Sequence, residues 1–496
     1  MYILGIDLGT SSIKASIVDA HTGWAVASAV APKQEMTIQS PNPGWAEQSP
    51  SVWWQETIKA ISLLDLDLRK KVAAVGISYQ MHGLVMVNKK GDVLRSSIIW
   101  CDSRAAETGQ TATQGLGAAF CFRRFLNQPG NFTAAKLKWV QENEPETYAQ
   151  LYKILLPGDY LAYQLTGELT TTTSGLSEGI LWDFHNHFPA YALMDYWHLD
   201  PSFLPEIVPT FGNQGIIRAE VAEVLGLPCH TPVMYRAGDQ PNNAFSLGVL
   251  HPGQVAATAG TSGVVYGISE ENTYDPQGRV NTFVHVNNEH KKIRNGVLLC
   301  INGTGRLNAW IRQHLTNHLS YAEMNAMAAS VPVGSKGLVC LPFGNGAERI
   351  FQNRTIGAGF WGLDLNRHTT TTLFRAAQEG IVFALHYGMQ TLLEMGLSVQ
   401  NIRTGNASLF LSPLFCHIFV QTTRSILTVL DTDGAQGAAR AAGVGLGVYA
   451  SPDEAAIAGL RIVHEVHPDP RETPTYALAY EQWKKVLDQQ LTQLNT

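Results

Sequence analysis

The sequence predicts an α/β protein made of two domains of the same design. Its 496 residues exceed the size at which one hydrophobic core keeps growing, so two large domains are expected. Strand-like runs alternate with runs of helical spacing in both halves, which is typical of α/β layers. The tripeptide Gly-Thr-Ser also occurs twice, at residues 9–11 and 260–262, each time between two strand-like runs. Together these observations indicate a repeated domain.

The first half opens with a predicted β-hairpin. The runs YILGID (2–7) and IKASIVD (13–19) are joined by a turn that carries Gly-Thr-Ser-Ser. A helix is expected over 53–64 and a buried strand over 71–78, and the segments GLVMVN and SSIIW indicate further strands. The order of strands and helices therefore predicts a layered α/β domain.

The second half repeats this pattern. Residues 254–269 indicate a strand, a tight turn and a strand, and residues 368–396 contain one long predicted helix. Residues 433–448 indicate the start of a helix rich in glycine and alanine. We expect the boundary near the midpoint and divide the chain into domains 1–245 and 246–496. No Pro/Ser-rich linker separates them, so they should be packed or hinged.

Composition excludes several classes of function. A net charge of −6 provides no basic field for nucleic acid or a membrane surface. The six cysteines form no Cys-x-x-Cys pair, which favours free thiols in a reducing compartment. The N-terminus lacks a signal-peptide pattern and no apolar run reaches about 18 residues, so we expect a cytoplasmic location.

Two aspartates lie at predicted strand ends. Asp7 precedes the first Gly-Thr-Ser turn and is well placed to hold a hydrated magnesium ion; the alternative is a turn-capping aspartate. Asp239 follows the strand TPVMYRAG and precedes a small helix. A carboxylate there is suited to accept a proton from a substrate hydroxyl, and the alternative is a helix N-cap.

Polar residues at two further strand ends are candidate sugar ligands. Gln80 and His82 are suited to read sugar hydroxyls and Met81 to line an apolar face, although a lone histidine is commonly structural. Trp100 and Asp102 follow another strand, with a surface Asp–Arg pair as the alternative for Asp102. The sequence lacks further metal ligands beside its His-x-His segment and lacks a Gly-x4-Gly-Lys-Ser/Thr loop, which argues against zinc and against a P-loop.

In order and spacing, these motifs resemble the FGGY family of carbohydrate kinases along almost the whole chain. The stretches that carry the resemblance are IDLGTSSIKASIVD, GWAEQSPSVWWQ, YQMHG, FTAAKLKWVQENEPE, LLPGDYLAYQLTGEL, AGTSGV, LPFGNGAER and GFWGLDL. YQMHG is similar to the Gln-Met-His-Gly of the xylulokinases. The resemblance implies the actin/hexokinase/Hsp70-like (ribonuclease H-like) fold, with an interdomain cleft in which the two Gly-Thr-Ser turns straddle the phosphates of ATP.

The resemblance also implies a reaction and its residues. The γ-phosphoryl group of ATP would pass to the terminal hydroxyl of a ketopentose, D-xylulose, with Asp239 as general base and Asp7 and Asp239 at Mg²⁺. The implied sugar ligands are Gln80, Met81, His82, Trp100, Asp102 and Gln240. The implied ATP ligands are Thr10, Ser11, Gly260, Thr261, Ser262, Gly303, Gly405 and Asn406. An aspartate with a pKa of about 3.9 would be ionised at pH 7. By analogy with relatives, a homodimer is expected.

Four positions depart from the family pattern. Gln240 replaces the usual asparagine of xylulokinases, and LTTTTSG (169–175) replaces a Thr-Asp pair. Residues 404–423 replace the Gly-Gly-Gly-Ala-Arg-Ser motif on the adenosine side, and residues 344–353 lack a proline. Two alternatives therefore stay open: a kinase for another ketose or polyol such as ribulose or glycerol, and a sugar-binding regulatory protein with poor ATP turnover.

Overall fold

The computed structural model describes residues 1–316 and 319–494, and these form two mixed β-sheets flanked by helices. The strands are β1 Tyr2–Leu8, β2 Ile13–Asp19, β3 Ala25–Ala31, β4 Glu47–Gln48, β5 Val72–Tyr79, β6 Val85–Val87, β7 Ser97–Ile98, β8 Lys153–Leu155, β9 Thr170–Thr172, β10 Trp182–Asp183, β11 Phe188–Pro189, β12 Glu206–Val208, β13 Val233–Gly238, β14 Gln254–Ala259, β15 Gly263–Ser269, β16 Asn281–Val284, β17 Asn295–Ile301, β18 Val339–Phe343, β19 Gly357–Trp361, β20 Asn401–Gly405, β21 Ile426–Leu430 and β22 Ile462–Val466.

Helices connect these strands along the chain. The α-helices are α1 Pro50–Ser62, α2 Leu66–Arg69, α3 Ala106–Leu116, α4 Ala118–Phe125, α5 Thr133–Asn143, α6 Pro145–Tyr148, α7 Pro157–Thr166, α8 Thr173–Glu178, α9 Tyr191–Trp197, α10 Ala219–Leu225, α11 Asp239–Ser246, α12 Thr304–Leu315, α13 Tyr321–Ala329, α14 Thr370–Glu394, α15 Pro413–Thr423, α16 Gly434–Gly445, α17 Pro452–Ile457 and α18 Thr473–Gln493. Short 3₁₀ helices cover Pro201–Phe203, Ser335–Gly337, Arg349–Phe351 and Ser408–Leu411. No helix of the described residues has the length and apolar character of a membrane span.

The two main sheets share one topology. The first sheet has the strand order β13-β5-β1-β2-β3, with β13, β5 and β1 parallel and β1, β2 and β3 antiparallel. The second sheet contains the order β21-β20-β14-β15-β17 with the same directions, and β22 and β16 extend its two edges. The predicted hairpin at the N-terminus and the predicted α/β fold class are confirmed.

Helix α16 comes from the second half of the chain but packs on the first sheet. It lies against β1 and β5, where a Cβ on Gly5 or Gly76 would overlap the carbonyl oxygens of Ala435 and Ala438. Glycine on the strands and alanine on the helix therefore allow this close approach. Helix α11 packs on α16 and also contacts β14 and β15, so the two helices bridge the sheets.

Strand direction brings the candidate residues to common edges. In the first sheet the parallel strands end at Leu8, Tyr79 and Gly238, so the first Gly-Thr-Ser turn, the YQMHG segment and Asp239 share one edge. In the second sheet β14 ends at the other Gly-Thr-Ser turn and the parallel strand β20 ends at Gly405. Ligands of open α/β sheets bind at such carboxyl ends.

Candidate active site

The first Gly-Thr-Ser turn and the start of helix α16 surround Asp7. Ser78 donates a 2.7 Å hydrogen bond to the Asp7 carboxylate, and the Cα of Gly434, the first residue of α16, lies directly against that carboxylate. Burial raises the pKa of Asp7, while the Ser78 hydrogen bond opposes this effect. Asp433 caps the helix and binds the Lys14 ammonium at 2.6 Å. The helix N-terminus offers a partial positive charge at this point.

Asp239 is the first residue of helix α11 and remains partly exposed. Its pKa is raised to about 7, first by burial and then by the nearby negative charge of Asp7, while hydrogen bonding with Gln240 lowers it. The ligand-free protein is therefore expected to carry a larger protonated fraction at pH 7 than an aspartate with a pKa of about 3.9. A cation bound next to both carboxylates would lower both pKa values.

The donor set fits a magnesium ion that keeps most of its water. Asp7 and Asp239 are electrostatically coupled, and Mg²⁺ in nucleotide sites commonly uses one or two carboxylates together with phosphate oxygens. Within residues 1–316 and 319–494, no group of three or more His, Cys, Asp or Glu residues forms a metal cage. A closed structural metal site is therefore absent from this part of the chain.

The second Gly-Thr-Ser turn is anchored to the start of helix α12. Gly305 and Arg306 donate 3.0 Å backbone hydrogen bonds to the carbonyls of Gly260 and Thr261. Gly303 caps the helix and lies against the Pro342 carbonyl, which leaves no room for a side chain. The Ser262 hydroxyl hydrogen-bonds to the Cys300 thiol. These contacts fix the carbonyls of the turn toward the protein.

Both turns keep unpaired backbone amides. Among the described residues, the N–H groups of Thr10, Ser11, Thr261 and Ser262 find no hydrogen-bond acceptor. Successive free amides of this kind form concavities that bind anions such as phosphate. The burial of Cys300 raises its pKa to about 12, and the charge of Asp239 contributes to that rise. Cys300, the hydrogen-bond partner of Ser262, therefore lies within electrostatic range of Asp239.

His82 lies in an aromatic pocket formed with Phe132 and Phe283. It adopts a left-handed backbone conformation with φ of 62°, and its Nδ1 lies 2.9 Å from the carbonyl oxygen of Glu178. Its ring contacts Phe132 edge-on at 4.9 Å and Phe283 at 5.3 Å. Burial and the charge of Lys136 lower the pKa of His82 to about 3, so the ring is neutral at pH 7. A neutral imidazole donates one hydrogen bond and accepts another.

The segment around His82 is held by a buried lysine. The Lys136 ammonium donates to the carbonyls of His82 at 2.8 Å and Ile99 at 2.9 Å, and burial lowers its pKa to about 8. Met81 is buried and packs against Gly238, the residue before the candidate base. Met81 therefore lies next to the residue that precedes Asp239, and its contact with a sugar stays a prediction.

Gln80 and Trp100 support the first turn. Trp100 donates through Nε1 to the Thr10 hydroxyl at 2.9 Å, and that hydroxyl donates to Gln80 at 3.2 Å. Gln80 in turn donates to Gln48 at 3.0 Å, and only 2% of its surface is exposed. Its amide thus accepts one hydrogen bond and donates another within the protein, and it positions the turn.

The structure does not bring Asp102 to the cleft. Its side chain is fully buried and accepts hydrogen bonds from the Ala46 amide at 2.6 Å and from Arg104. The Arg104 guanidinium also binds Glu47 at 2.7 Å and lies 3.8 Å above the Trp45 ring. The alternative of a surface pair is wrong, because both charges belong to a buried network. The sugar contact of Asp102 stays a prediction, and its carboxylate is occupied by protein partners in this structure.

The adenosine-side segment has a different character from the family motif. Gly405 ends strand β20, and the Asn406 amide donates to the Leu430 carbonyl at 2.9 Å. Helix α15 then starts at Pro413, a position where the missing N–H is not needed. Its apolar residues are buried in the core of the second half, which explains the loss of polar residues from this segment.

Sequence reasoning assigned no role to two residues that face this site. Glu178 is 1% exposed and its carboxylate lies against Gly238, where burial raises its pKa strongly. Arg349 lies 5.3 Å over the Phe132 ring. Glu178 is the only charged residue in the stretch from Leu169 to Trp182, a signal that could have identified it. Arg349 lies in the segment 344–353, which lacks the proline of the family pattern, and this departure could have drawn attention to it.

Comparison with known proteins identifies relatives of the whole chain. Residues 2–246 match the N-terminal domain of the FGGY family of carbohydrate kinases, and residues 255–459 match its C-terminal domain. A xylulose kinase from Klebsiella pneumoniae is 32% identical over 397 residues, which cover 79% of each protein. A xylulose kinase structure from Rhodospirillum rubrum superposes with a TM-score of 0.85 at 26% identity over 99% of each chain. A gluconate kinase from Lactobacillus acidophilus superposes at 0.88 with 23% identity, covering 99% of this chain and 98% of that one.

Proposed function

The chain belongs to the FGGY family of carbohydrate kinases, and on that premise we propose that it phosphorylates the terminal hydroxyl of D-xylulose. The product would be D-xylulose 5-phosphate, with ATP as phosphoryl donor. The xylulose kinases of Klebsiella pneumoniae and Rhodospirillum rubrum support this choice. The likeness to a gluconate kinase supports the fold alone.

Asp239 supports this proposal most directly, because it is a partly exposed carboxylate at the edge of the first sheet with a pKa raised to about 7. We assign it as the general base that accepts the proton of the sugar hydroxyl. A base works best when its pKa lies near the operating pH. Phosphoryl transfer otherwise needs mainly positioning and charge neutralisation, so one carboxylate is sufficient.

The remaining residues would bind the two substrates. His82 and Met81 would contact the sugar from the aromatic pocket, with Gln240 beside the base. The free amides of the two Gly-Thr-Ser turns would hold the phosphates of ATP. Mg²⁺, when bound at Asp7 and Asp239, would neutralise phosphate charge. We also propose that the domains are residues 1–245 and 246–496, and that the protein acts in the cytoplasm.

A second acceptor class deserves a direct test because Gln240, hydrogen-bonded to Asp239, is longer than the asparagine of xylulokinases. The experiment is a coupled assay of ADP formation with ATP, Mg²⁺ and D-xylulose, D-ribulose, glycerol or gluconate. We expect D-xylulose to give a kcat/KM at least about tenfold above the others, since one added contact contributes about 1–3 kcal/mol. A higher value with another acceptor would reassign the substrate. Sugar binding without ADP formation would indicate a regulatory protein.

A further inference from the structure

We propose that Arg349 binds the transferred phosphoryl group on the acceptor side of the cleft, in the transition state and in the sugar phosphate product. This inference rests on the proposed kinase function. Arg349 begins a 3₁₀ helix in the second half of the chain, while its neighbours His82 and Phe132 belong to the first half. It is therefore a residue of one half that reaches the sugar pocket of the other.

The contacts of Arg349 place its charge beside the sugar pocket. Its guanidinium carbon lies 5.3 Å from the centroid of Phe132, whose ring meets the imidazole of His82 at 4.9 Å. The charge of Arg349 helps to lower the pKa of His82. The guanidinium therefore lies at the rim of the pocket in which we place the sugar.

The Cys300 thiol relates Arg349 to the base and to the second turn. The Cys300 thiol senses the charges of both Arg349 and Asp239, and it hydrogen-bonds to Ser262. Cys300, the hydrogen-bond partner of Ser262, thus lies within electrostatic range of both Arg349 and Asp239. A phosphoryl group that leaves the second turn for a hydroxyl at Asp239 would pass through this region.

Arg349 differs from three buried arginines that bind carboxylates, and from Arg440, whose guanidinium donates to the carbonyls of Ala458 and Ser246. Arg104, Arg236 and Arg375 each bind a carboxylate at 2.7–2.9 Å. Across residues 1–316 and 319–494, the Arg349 guanidinium makes neither an ion pair nor a hydrogen bond. A half-buried guanidinium without a partner is suited to bind an anion, and its planar fork matches phosphate oxygens.

The backbone before Arg349 is fixed in place. Both carboxylate oxygens of Glu348 accept from the Asn302 amide at 3.0 Å, and the Glu348 amide donates to the carbonyl of Arg354 at 3.0 Å. Asn302 also donates through its side chain to the Ala347 carbonyl at 2.8 Å. A guanidinium on a rigid loop stabilises developing charge without reorganisation.

The test compares binding of a neutral sugar with binding of its phosphate. D-xylulose and D-xylulose 5-phosphate are titrated calorimetrically into wild type, Arg349→Gln and Arg349→Lys, with Arg461→Gln as a control. Arg461 is an exposed arginine paired with Asp431 at 2.6 Å. We expect Arg349→Gln to weaken sugar phosphate binding by about tenfold to hundredfold, because hydrogen bonds to charged groups are of that strength. The affinity for the neutral sugar should change by less than about threefold, which is the size of effect expected when a surface contact is lost.

Turnover gives a second readout. Arg349→Gln should lower kcat by about 100-fold or more with little change in the KM of the sugar, and Arg349→Lys should recover part of the loss. Arg461→Gln should behave as wild type in all assays. Equal losses of sugar and sugar phosphate affinity would show that Arg349 merely joins the two halves through Phe132, and would overturn the proposal.

The outcome is separable from failure of the proposed function. If wild type phosphorylates none of the four acceptors, inorganic phosphate replaces D-xylulose 5-phosphate as the probe in the same three variants. Weaker phosphate binding in Arg349→Gln alone would support the anion site in the absence of D-xylulose kinase activity. Unchanged phosphate binding would contradict the site.

Discussion

The two sheets have the same five-strand topology but different chemistry at their strand ends. In the first sheet, β1 and β13 end beside Asp7 and Asp239, two coupled carboxylates with raised pKa values. In the second sheet, the corresponding strands β14 and β21 lead to a Gly-Thr-Ser turn and to the capping residue Asp433, whose charge is paired with Lys14. The duplicated topology therefore supports an acidic edge and a largely neutral edge.

The shared topology with different strand ends indicates that the fold supplies the position of the site and the strand-end residues supply its chemistry. An acidic edge repels phosphate unless a cation is bound, whereas free amides beside glycine bind phosphate directly. We therefore expect substitutions at the first edge to change the chemical step and substitutions at the second edge to change nucleotide binding. Substitutions at each edge test this division.

The largest expected effect comes from the acidic edge. Asp239→Asn removes the proposed base while keeping the size of the side chain, and general base catalysis contributes about 10²–10⁴-fold in rate. We expect kcat to fall by about 1,000-fold, with sugar affinity within about tenfold of wild type. Steady-state kinetics and calorimetric sugar titration provide the two measurements.

The control for this variant is Gln240→Asn at the next position, which keeps the carboxylate and should alter sugar preference more than kcat. Retention of more than about a tenth of wild-type kcat by Asp239→Asn would assign the base elsewhere. That result would also contradict the proposal that the first edge carries out the chemical step while the second edge binds the nucleotide.

A smaller effect is expected at the neutral edge. A Cβ on Gly260 would have no neighbour nearer than 3.9 Å, so Gly260→Ala should fold normally. The added methyl group would project beside the free amides and keep the phosphates of ATP from approaching the backbone closely. We therefore expect the KM of ATP to rise about tenfold while the KM of the sugar is unchanged. Initial rates at varied ATP and varied sugar measure both constants.

The matched control lies three positions away. A Cβ on Gly263 would lie 2.7 Å from the Thr304 side chain and 2.9 Å from Leu385, so Gly263→Ala should lower the free energy of unfolding by about 1–3 kcal/mol. Chemical denaturation distinguishes the two variants. If Gly260→Ala left the KM of ATP unchanged, the second turn would not contact the nucleotide, and the proposed division between the edges would fail.

The sequence was sufficient where local pattern controls structure. Two strand-like runs and a glycine-bearing turn predicted the hairpin of β1 and β2. Position at predicted strand ends marked Asp7 and Asp239 as candidates, and the structure shows that they share an edge. The sequence identified the local Asp102–Arg104 pair but not its burial, because the Ala46 amide that also binds this carboxylate lies 56 positions away in the chain. Such long-range partners are formed only by tertiary packing.

The same limit applies to Arg349 and to the ionisation of Asp239. The aromatic partner of Arg349 is Phe132 in the other half of the chain, and no sequence spacing relates the two. The pKa of Asp239 depends on burial and on the charge of Asp7, both of which arise from packing between distant strands. Sequence supplied the residue types and the strand ends, whereas the electrostatics required three-dimensional structure.

The smallest expected effect concerns stability and pH in the absence of ligand. Folding raises the pKa of Asp239 from 3.8 to about 7, so the folded state binds the proton more tightly than the unfolded state. The stabilisation from this proton is fully present below pH 3.8 and is lost as pH rises toward about 7. Asp239→Asn carries no such proton, so its Tm should exceed that of wild type by a few degrees at pH 8 and by less at pH 5.

Thermal unfolding of both proteins at pH 5, 6, 7 and 8 measures this gap. Mg²⁺ bound at the acidic edge favours the ionised carboxylate, so adding it at pH 8 should narrow the difference between wild type and Asp239→Asn. A gap that stays constant with pH would show that Asp239 is ionised in the folded protein at pH 5. The carboxylates of the acidic edge would then titrate like solvent-exposed aspartates. The two edges would differ in their charge but not in a raised carboxyl pKa.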